Sequence, residues 1–167
     1  MIVAEVRRWT PSDSVEDITA MLHRAYGRLA DQGLHYNASH QSPRHTQDRL
    51  IGGTSFLAVI DGRIVGCISL YPGRPNAYHS YYQRDDVAYF GQFAVEPEFQ
   101  GHGIGRMLYQ MVENHARLLG KSYLALDTAE PALDLIAMYR RWGFEIVDEA
   151  DWTSTNYRSV IMAKQLA

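Results

Sequence analysis

The chain has one cysteine, Cys67, in 167 residues. It can form no internal disulfide, a usage that fits a reducing cytoplasm. Cys67 sits in the strand-like run Arg63-Ile-Val-Gly-Cys-Ile-Ser-Leu70, the setting of a buried structural thiol rather than a nucleophile. Neither sign of charge is in excess. The formal net charge of −3 argues against nucleic acid or an anionic membrane as the main partner. No apolar run approaches the roughly 18 residues of a membrane span, and Glu5, Arg7 and Arg8 stand where an export leader needs its apolar stretch. Repeats, low-complexity tracts and linker-like breaks are absent. A single cytoplasmic domain, 1–167, is expected, long enough to bury a core without staples.

The chain is organised around residues 89–119. Tyr-Phe-Gly-Gln-Phe-Ala-Val reads as a buried strand ending near Val95, Pro97 forces a turn, and glycines at 101, 103 and 105 precede a helix. Ile104, Leu108, Met111, Val112 and His115 fall on one face of a 3.6-residue period. Glycines opening a helix turn unpaired amides outward, where the helix dipole favours an anion such as a diphosphate. Neither common nucleotide loop is present. A G-x-G-x-x-G count from Gly101 ends on Arg106, and no Gly-Lys-Ser/Thr follows.

Around this centre lie a strand over 2–9 and a break at Thr10-Pro11-Ser12-Asp13. A helix follows to about Ala30, with Asp13 and Glu16 as its capping box, and a short helix covers Arg44–Ile51. Strands Ser55–Ile60 and Arg63–Tyr71 are joined by Asp61-Gly62, a two-residue hairpin turn whose central positions need positive φ. A long loop, Pro72–Asp86, leads to the central strand. After the central helix come a strand to Asp127, parallel to the central one if the helix is a right-handed crossover, and a helix opened by Pro131 and closed by Gly143. Strands from Glu145 and Tyr157 finish the chain. The class is α/β, a mixed sheet of about seven strands with about four helices. His35, His40 and His45 are spaced by five, off any common helix face, and lack cysteine or paired glutamate, so no metal site is expected.

Gln100-Gly101-His102-Gly103-Ile104-Gly105, read as Gln-x-x-Gly-x-Gly directly after Phe-Ala-Val-x-Pro, resembles the acyl-CoA-binding loop of the GNAT superfamily of N-acetyltransferases. Ala137-Met-Tyr-Arg-Arg-Trp-Gly-Phe144 looks like the family's closing signature, a tyrosine four residues before Gly-Phe. The resemblance covers the last half of the chain by motif and all of it by element order.

The resemblance implies a GNAT-like fold that moves an acetyl group from acetyl-CoA to a small-molecule or peptide primary amine, without a metal. Gln100, Gly101, His102, Gly103, Ile104, Gly105 and Arg106 would hold the pyrophosphate, and the backbone of Phe93, Ala94 and Val95 would pair with the pantetheine arm. Attack of an amine on a thioester needs an oxyanion donor, a proton source for sulfur and a proton acceptor. By resemblance the Phe93 N–H is the first and Tyr139 the second, a core-packing role for Tyr139 being the alternative. The central strand departs from the family pattern in having only Tyr89 and Gln92 where members carry a glutamate base. Asp127 is the substitute, with Glu96 behind it, although Asp127 serves equally as a cap of the Thr128 turn. Ala132 stands where many members have an asparagine on the cofactor, a loss for which Thr128 could compensate. Tyr78, Tyr81 and Tyr82 with Asp85 and Asp86 point to a cationic amine, or else form a packed loop or homodimer contact; the 31–43 segment either covers the acceptor or is a solvated loop. The competing class is a non-catalytic acyl-CoA-binding or regulatory module.

Overall fold

The computed structural model describes residues 3–152 and 155–166. Strand β1 (Glu5–Arg8), helices α1 (Val15–Asp31) and α2 (Pro43–Ile51), and strands β2 (Thr54–Ile60), β3 (Arg63–Pro72) and β4 (Val87–Val95) come first. Helix α3 (Ile104–Leu118), strand β5 (Tyr123–Ala129), helix α4 (Leu133–Arg141) and strands β6 (Glu145–Asp151) and β7 (Arg158–Gln165) complete the chain. Ile2, where the first strand was expected to start, lies outside the described residues. No helix among the described residues is long and apolar enough to cross a membrane.

The strands form one sheet in the order β1-β2-β3-β4-β5-β7-β6. All neighbours are antiparallel except β4 and β5, which are parallel with α3 as their crossover. Period-two alternation assigns the faces. Phe56, Ile68, Leu70, Phe90, Leu124 and Met162 pack with Ile104, Leu108 and Val112 of α3. Leu57, Cys67 and Ala94 take the other face with Ile18, Met21 and Leu22 of α1 and Leu50 of α2. Beyond those helices the 77–82 loop covers the same face, with Tyr82 fully buried against Tyr89, Ala125 and Ile161. Asp61 at φ 49° and Gly62 at φ 79° form the expected hairpin turn.

Two helix starts differ from the sequence reading: Pro131 precedes α4, which begins at Leu133 with Ala132 at its cap position, and the cap of α1 is another residue. Ser14, not Asp13, opens α1, its hydroxyl accepting the Asp17 N–H at 3.2 Å. Asp13 instead receives two Arg7 donors at 2.7 and 3.0 Å and the Thr10 N–H at 2.8 Å. Charge-assisted bonds to a guanidinium outcompete one helix amide, and they hold the Asp13 carboxyl down to about 2.

Strands β4 and β5 pair only from Val87, Ala88 and Tyr89 to Tyr123, Leu124 and Ala125. Past those three pairs they separate, because β5 stays in register with β7 along all seven of its residues while β4 bends. The bend is a bulge at Gln92, a non-glycine residue at φ 48° facing a register shift in β3. A buried amide network holds it: the Gln41 amide donates to Gln92 Oε1 at 2.9 Å and to Thr46 Oγ1 at 2.8 Å, and the Thr19 hydroxyl donates to Thr46 at 2.7 Å. A left-handed side-chain-bearing residue costs about 1–3 kcal/mol and persists only where its surroundings over-determine it.

The end of β4 is pinned to α1. Glu96, 3% exposed, receives Arg24 Nε and Nη2 at 2.7 Å each, with Arg63 Nη2 at 3.5 Å. The hydrogen-bonded Arg24 guanidinium, and after it Arg63, hold its carboxyl below the usual range against the opposing effect of burial. Stability from a depressed carboxyl is present above its unfolded pKa and lost as pH falls through the folded value. Glu96→Gln should therefore destabilise the protein by about 2 kcal/mol at pH 7 in urea unfolding, and the deficit should shrink as pH drops through the acid range. An unchanged midpoint at pH 7 would rule the clamp out.

Candidate active site

The gap between β4 and β5 opens into a cavity of about 1240 Å³ that runs from the start of α3 to Tyr78 and Trp152. At the α3 end, Gly101 and Gly103 have φ of 81° and 82°, and a Cβ on either would meet only open space. Glycine is needed there for backbone conformation rather than for room. No amide from residue 101 to 106 donates to a protein acceptor among the described residues; the first helical bond is Met107 N–H to the Gly103 carbonyl at 3.1 Å. Six consecutive free donors at a helix start make an anion cradle.

The other expected cofactor contacts are arranged less simply. Gln100 turns its Nε2 back to the Val95 carbonyl at 3.0 Å, and the Tyr26 hydroxyl donates to the Phe93 carbonyl at 2.7 Å. An added strand on Phe93–Val95 thus uses N–H donors there or displaces those side chains. Glu96 N–H bonds to the Val65 carbonyl and Ala94 is paired with Cys67, so ladder alternation turns Ala94 toward β3. The His102 ring is exposed, lies near the Phe99 and Gln100 carbonyls and does not line the cavity. Arg106 lies over the rings of Tyr109 and Trp142, 5.0 and 5.1 Å from their centroids. Its Nη1 is buried without a partner.

Mid-cavity, α4 brings in Tyr139, 8% exposed. Among the described residues nothing hydrogen-bonds its hydroxyl. Burial raises the phenol well above its ordinary value, with the neighbouring Tyr26 and Tyr36 adding to the effect, so it carries its proton at neutral pH. Asp127 also lines the cavity. It lies within β5 rather than at its end and accepts the Tyr82 hydroxyl at 2.8 Å, so it does not cap the Thr128 turn. Burial raises its carboxyl above 3.8, opposed in turn by the Tyr82 bond, Arg49 and His79.

Several expected contributors stand elsewhere. Glu96 is committed to its arginines and does not line the cavity. Thr128 is bonded to the Tyr36 hydroxyl at 2.8 Å, which also accepts the Ala129 N–H. Asp86 is paired with Arg84 at 2.7 and 2.9 Å, and neither Asp85 nor Asp86 reaches the cavity. Of the three spaced histidines only His45 lines it, so they do not gather.

A family model described as Acetyltransferase (GNAT) family matches residues 16–144. The chain belongs to the GNAT acetyltransferase family. This GNAT protein is accordingly an acyltransferase, of a family that acetylates amines with acetyl-CoA. A solved Pyrococcus horikoshii OT3 structure superposes with TM-score 0.75 at 19% identity over 98% of each chain. The ribosomal-protein-S18-alanine N-acetyltransferase of Escherichia coli gives 0.74 at 16% identity over 99% of this chain and 95% of that one. A GNAT family acetyltransferase from Elizabethkingia anophelis, crystallised with acetyl-CoA bound, gives 0.66 at 19% over 98% of both. At such identities the likeness is one of fold. Comparison with curated proteins gives no significant sequence match. The free amides and long cavity of this GNAT acetyltransferase suit a cofactor with a diphosphate at one end and a reactive group at the other.

Sequence reasoning missed Tyr26, Tyr36, Arg49 and the Gln92 bulge. That the Tyr26 hydroxyl reaches Phe93, 67 residues away, has no local signal.

Asp127 generates a prediction. A carboxyl whose folded pKa is raised favours the folded state below its unfolded pKa, and that stability is lost as pH rises through the folded value. At neutral pH the buried carboxylate therefore works against folding. Asp127→Asn should raise the thermal midpoint by a few degrees at pH 7, corresponding to about 1 kcal/mol, with the gain fading toward pH 4. A midpoint lowered equally at both pH values would show that burial does not dominate at this carboxyl.

Proposed function

We propose that this enzyme transfers the acetyl group of acetyl-CoA to a primary amine by direct attack within a ternary complex, the whole chain acting as one cytoplasmic domain. The observation that carries this reading is the run of unpaired amides at 101–106 opening on the same cavity as Tyr139 and Asp127. Those amides hold the diphosphate. The Phe93 N–H, just past the bulge at Gln92, meets the thioester oxygen as it gains charge, and a donor held in place before the reaction is worth far more than one recruited from water.

Asp127 takes a proton from the acceptor ammonium, helped by burial that makes the carboxylate more basic. The nitrogen forms its bond to the acyl carbon as the carbon–sulfur bond breaks. Tyr139 gives its proton to the departing sulfur and is replenished by the second proton that the nitrogen loses. Atoms balance as amine plus thioester to amide plus thiol. Tyr139 suits this role because its hydroxyl is protonated and engaged by no protein group among the described residues.

Calorimetric titration with acetyl-CoA comes first. Wild type should bind, whereas Gly103→Glu, which puts a carboxylate in the diphosphate cradle, should lose about 100-fold or more in affinity. Gly103→Ala, which shares the backbone strain, separates misfolding from charge. If wild type binds neither acetyl-CoA nor longer acyl-CoAs, the proposal is wrong.

With an acceptor in hand, Tyr139→Phe should lower kcat about 100-fold or more while acetyl-CoA affinity stays close to wild type. Unaltered release of free thiol by that variant would reassign Tyr139 to packing.

A further inference from the structure

We infer that the amine acceptor also carries a carboxylate and an aromatic side chain, as an aromatic amino acid does, with Arg49 binding the carboxylate. The inference rests on the acetyl-transfer reading above and specifies its acceptor.

The acceptor half of the cavity contains a cation that, among the described residues, makes no ion pair. Arg49, in the last turn of α2, lines the cavity. Its Nη1 donates to the neutral Gln41 Oε1 at 3.1 Å, and among the described residues no carboxylate lies within ion-pair distance. Among the described residues its other nitrogens have no protein acceptor, and none of them is fully buried. The guanidinium lies against the central strand at Gly91, where a Cβ would come within 2.9 Å of Nη2. That places the charge one residue before the bulge that precedes Phe93, near the reacting carbon. A planar fork with free N–H groups in a partly enclosed site matches a carboxylate.

Two further features complete the specification. Asp127, on the opposite strand of the gap, supplies the complementary charge for an ammonium; Arg74 also lines the cavity but turns its Nη2 to the Gly52 carbonyl at 3.3 Å. The same cavity has a wall of rings. Tyr89 is stacked on Tyr82 at 4.0 Å and packs on Tyr71 at 5.4 Å, and Tyr78 meets Tyr89 and Trp152 edge-on at 5.9 and 5.2 Å. Tyr78 is 60% exposed, an aromatic face left open at the cavity mouth. Such a wall takes an aromatic or extended apolar side chain.

A diamine or polyamine fits less well, because its second ammonium would approach Arg49, which has no ion-pair partner among the described residues. Asp48 and Asp151 also line the cavity, but both are exposed, where water and salt screen them.

The test uses matched acceptors that differ only in the carboxylate: L-phenylalanine against phenethylamine and L-tryptophan against tryptamine, with kcat/KM read from thiol release. Wild type should prefer the amino acid of at least one pair by about 10-fold or more, and Arg49→Gln should reduce that preference by about 10- to 100-fold. Arg49→Lys, keeping charge without the fork, should recover part of it. Acetyl-CoA titration checks that both variants fold. A purely structural role for Arg49 would lower both acceptors alike and leave the ratio unchanged. That outcome overturns the inference, as does a wild-type preference for the decarboxylated amines, or activity confined to unrelated amines. Absence of acetyl-CoA binding, or of thiol release with every amine, would instead show that the acetyl-transfer reading itself has failed, and this inference with it.

Discussion

Everything functional in this fold depends on two parallel strands that stop pairing. Strands β4 and β5 share three residue pairs and then separate, and the separation leaves strand edges unpaired in the middle of the sheet. An open edge inside a protein is costly unless something satisfies its polar groups. Here side chains and loops from distant parts of the chain do so: the Tyr26 hydroxyl on the Phe93 carbonyl, Gln100 on the Val95 carbonyl, Tyr36 on the Ala129 amide. The cavity is thus a gap held open from both sides. The Gln92 bulge keeps β4 bent, and the complete β5–β7 ladder keeps β5 from following.

The same geometry explains why the central strand carries no acid. Gln92 occupies the bulge, and its amide is engaged directly by the neutral Gln41 and Thr46, with Arg49 bonded to Gln41 behind them. A carboxylate there would be buried with neutral direct partners and would lose the amide donor that Gln92 gives to the Thr46 carbonyl. The anionic group of the site instead sits across the gap on β5, where Asp127 has the Tyr82 hydroxyl as a donor and surface open to the cavity. Tyr82 is itself fixed by stacking on Tyr89 of β4, so the loop that covers this end of the sheet also orients the carboxylate. Fold and electrostatics are therefore coupled through one tyrosine.

Much of the architecture was legible because it is local. The α3 stripe, the Asp61-Gly62 turn, the parallel crossover and the glycine loop each follow from residues close in sequence, and the element ranges agree with the expected ones to within a few residues. The departures have one physical origin. Asp13 was read as a cap because Glu16 follows it, but Arg7, six residues earlier, offered a stronger partner. Glu96 lay beside the site in sequence but was claimed by Arg24 from another element. Asp85 and Asp86 are close to the tyrosines in sequence but do not line the cavity. Pattern reveals which residues are amphipathic or turn-forming; it does not reveal which of several possible partners a polar side chain will meet once distant elements pack. Most of this site is made of such meetings.

That distinction also bears on what sets specificity. On the proposed reading the diphosphate cradle is built from backbone, so it would tolerate changes in most side chains around it and need only the two left-handed glycines. The proposed acceptor end is lined by side chains of α2, β3, β4, β5, the 77–82 loop and Trp152. No single segment determines it. Arg49 reaches the central strand only because position 91 has no side chain, and its helix is tied to β3 by the Tyr71 hydroxyl on the Arg49 carbonyl at 2.7 Å. If Arg49 binds the acceptor as inferred, a change of charge at position 49 alters which acceptors enter while leaving the glycine loop intact. The two ends of the cavity, one backbone and one side chain, would then diverge independently.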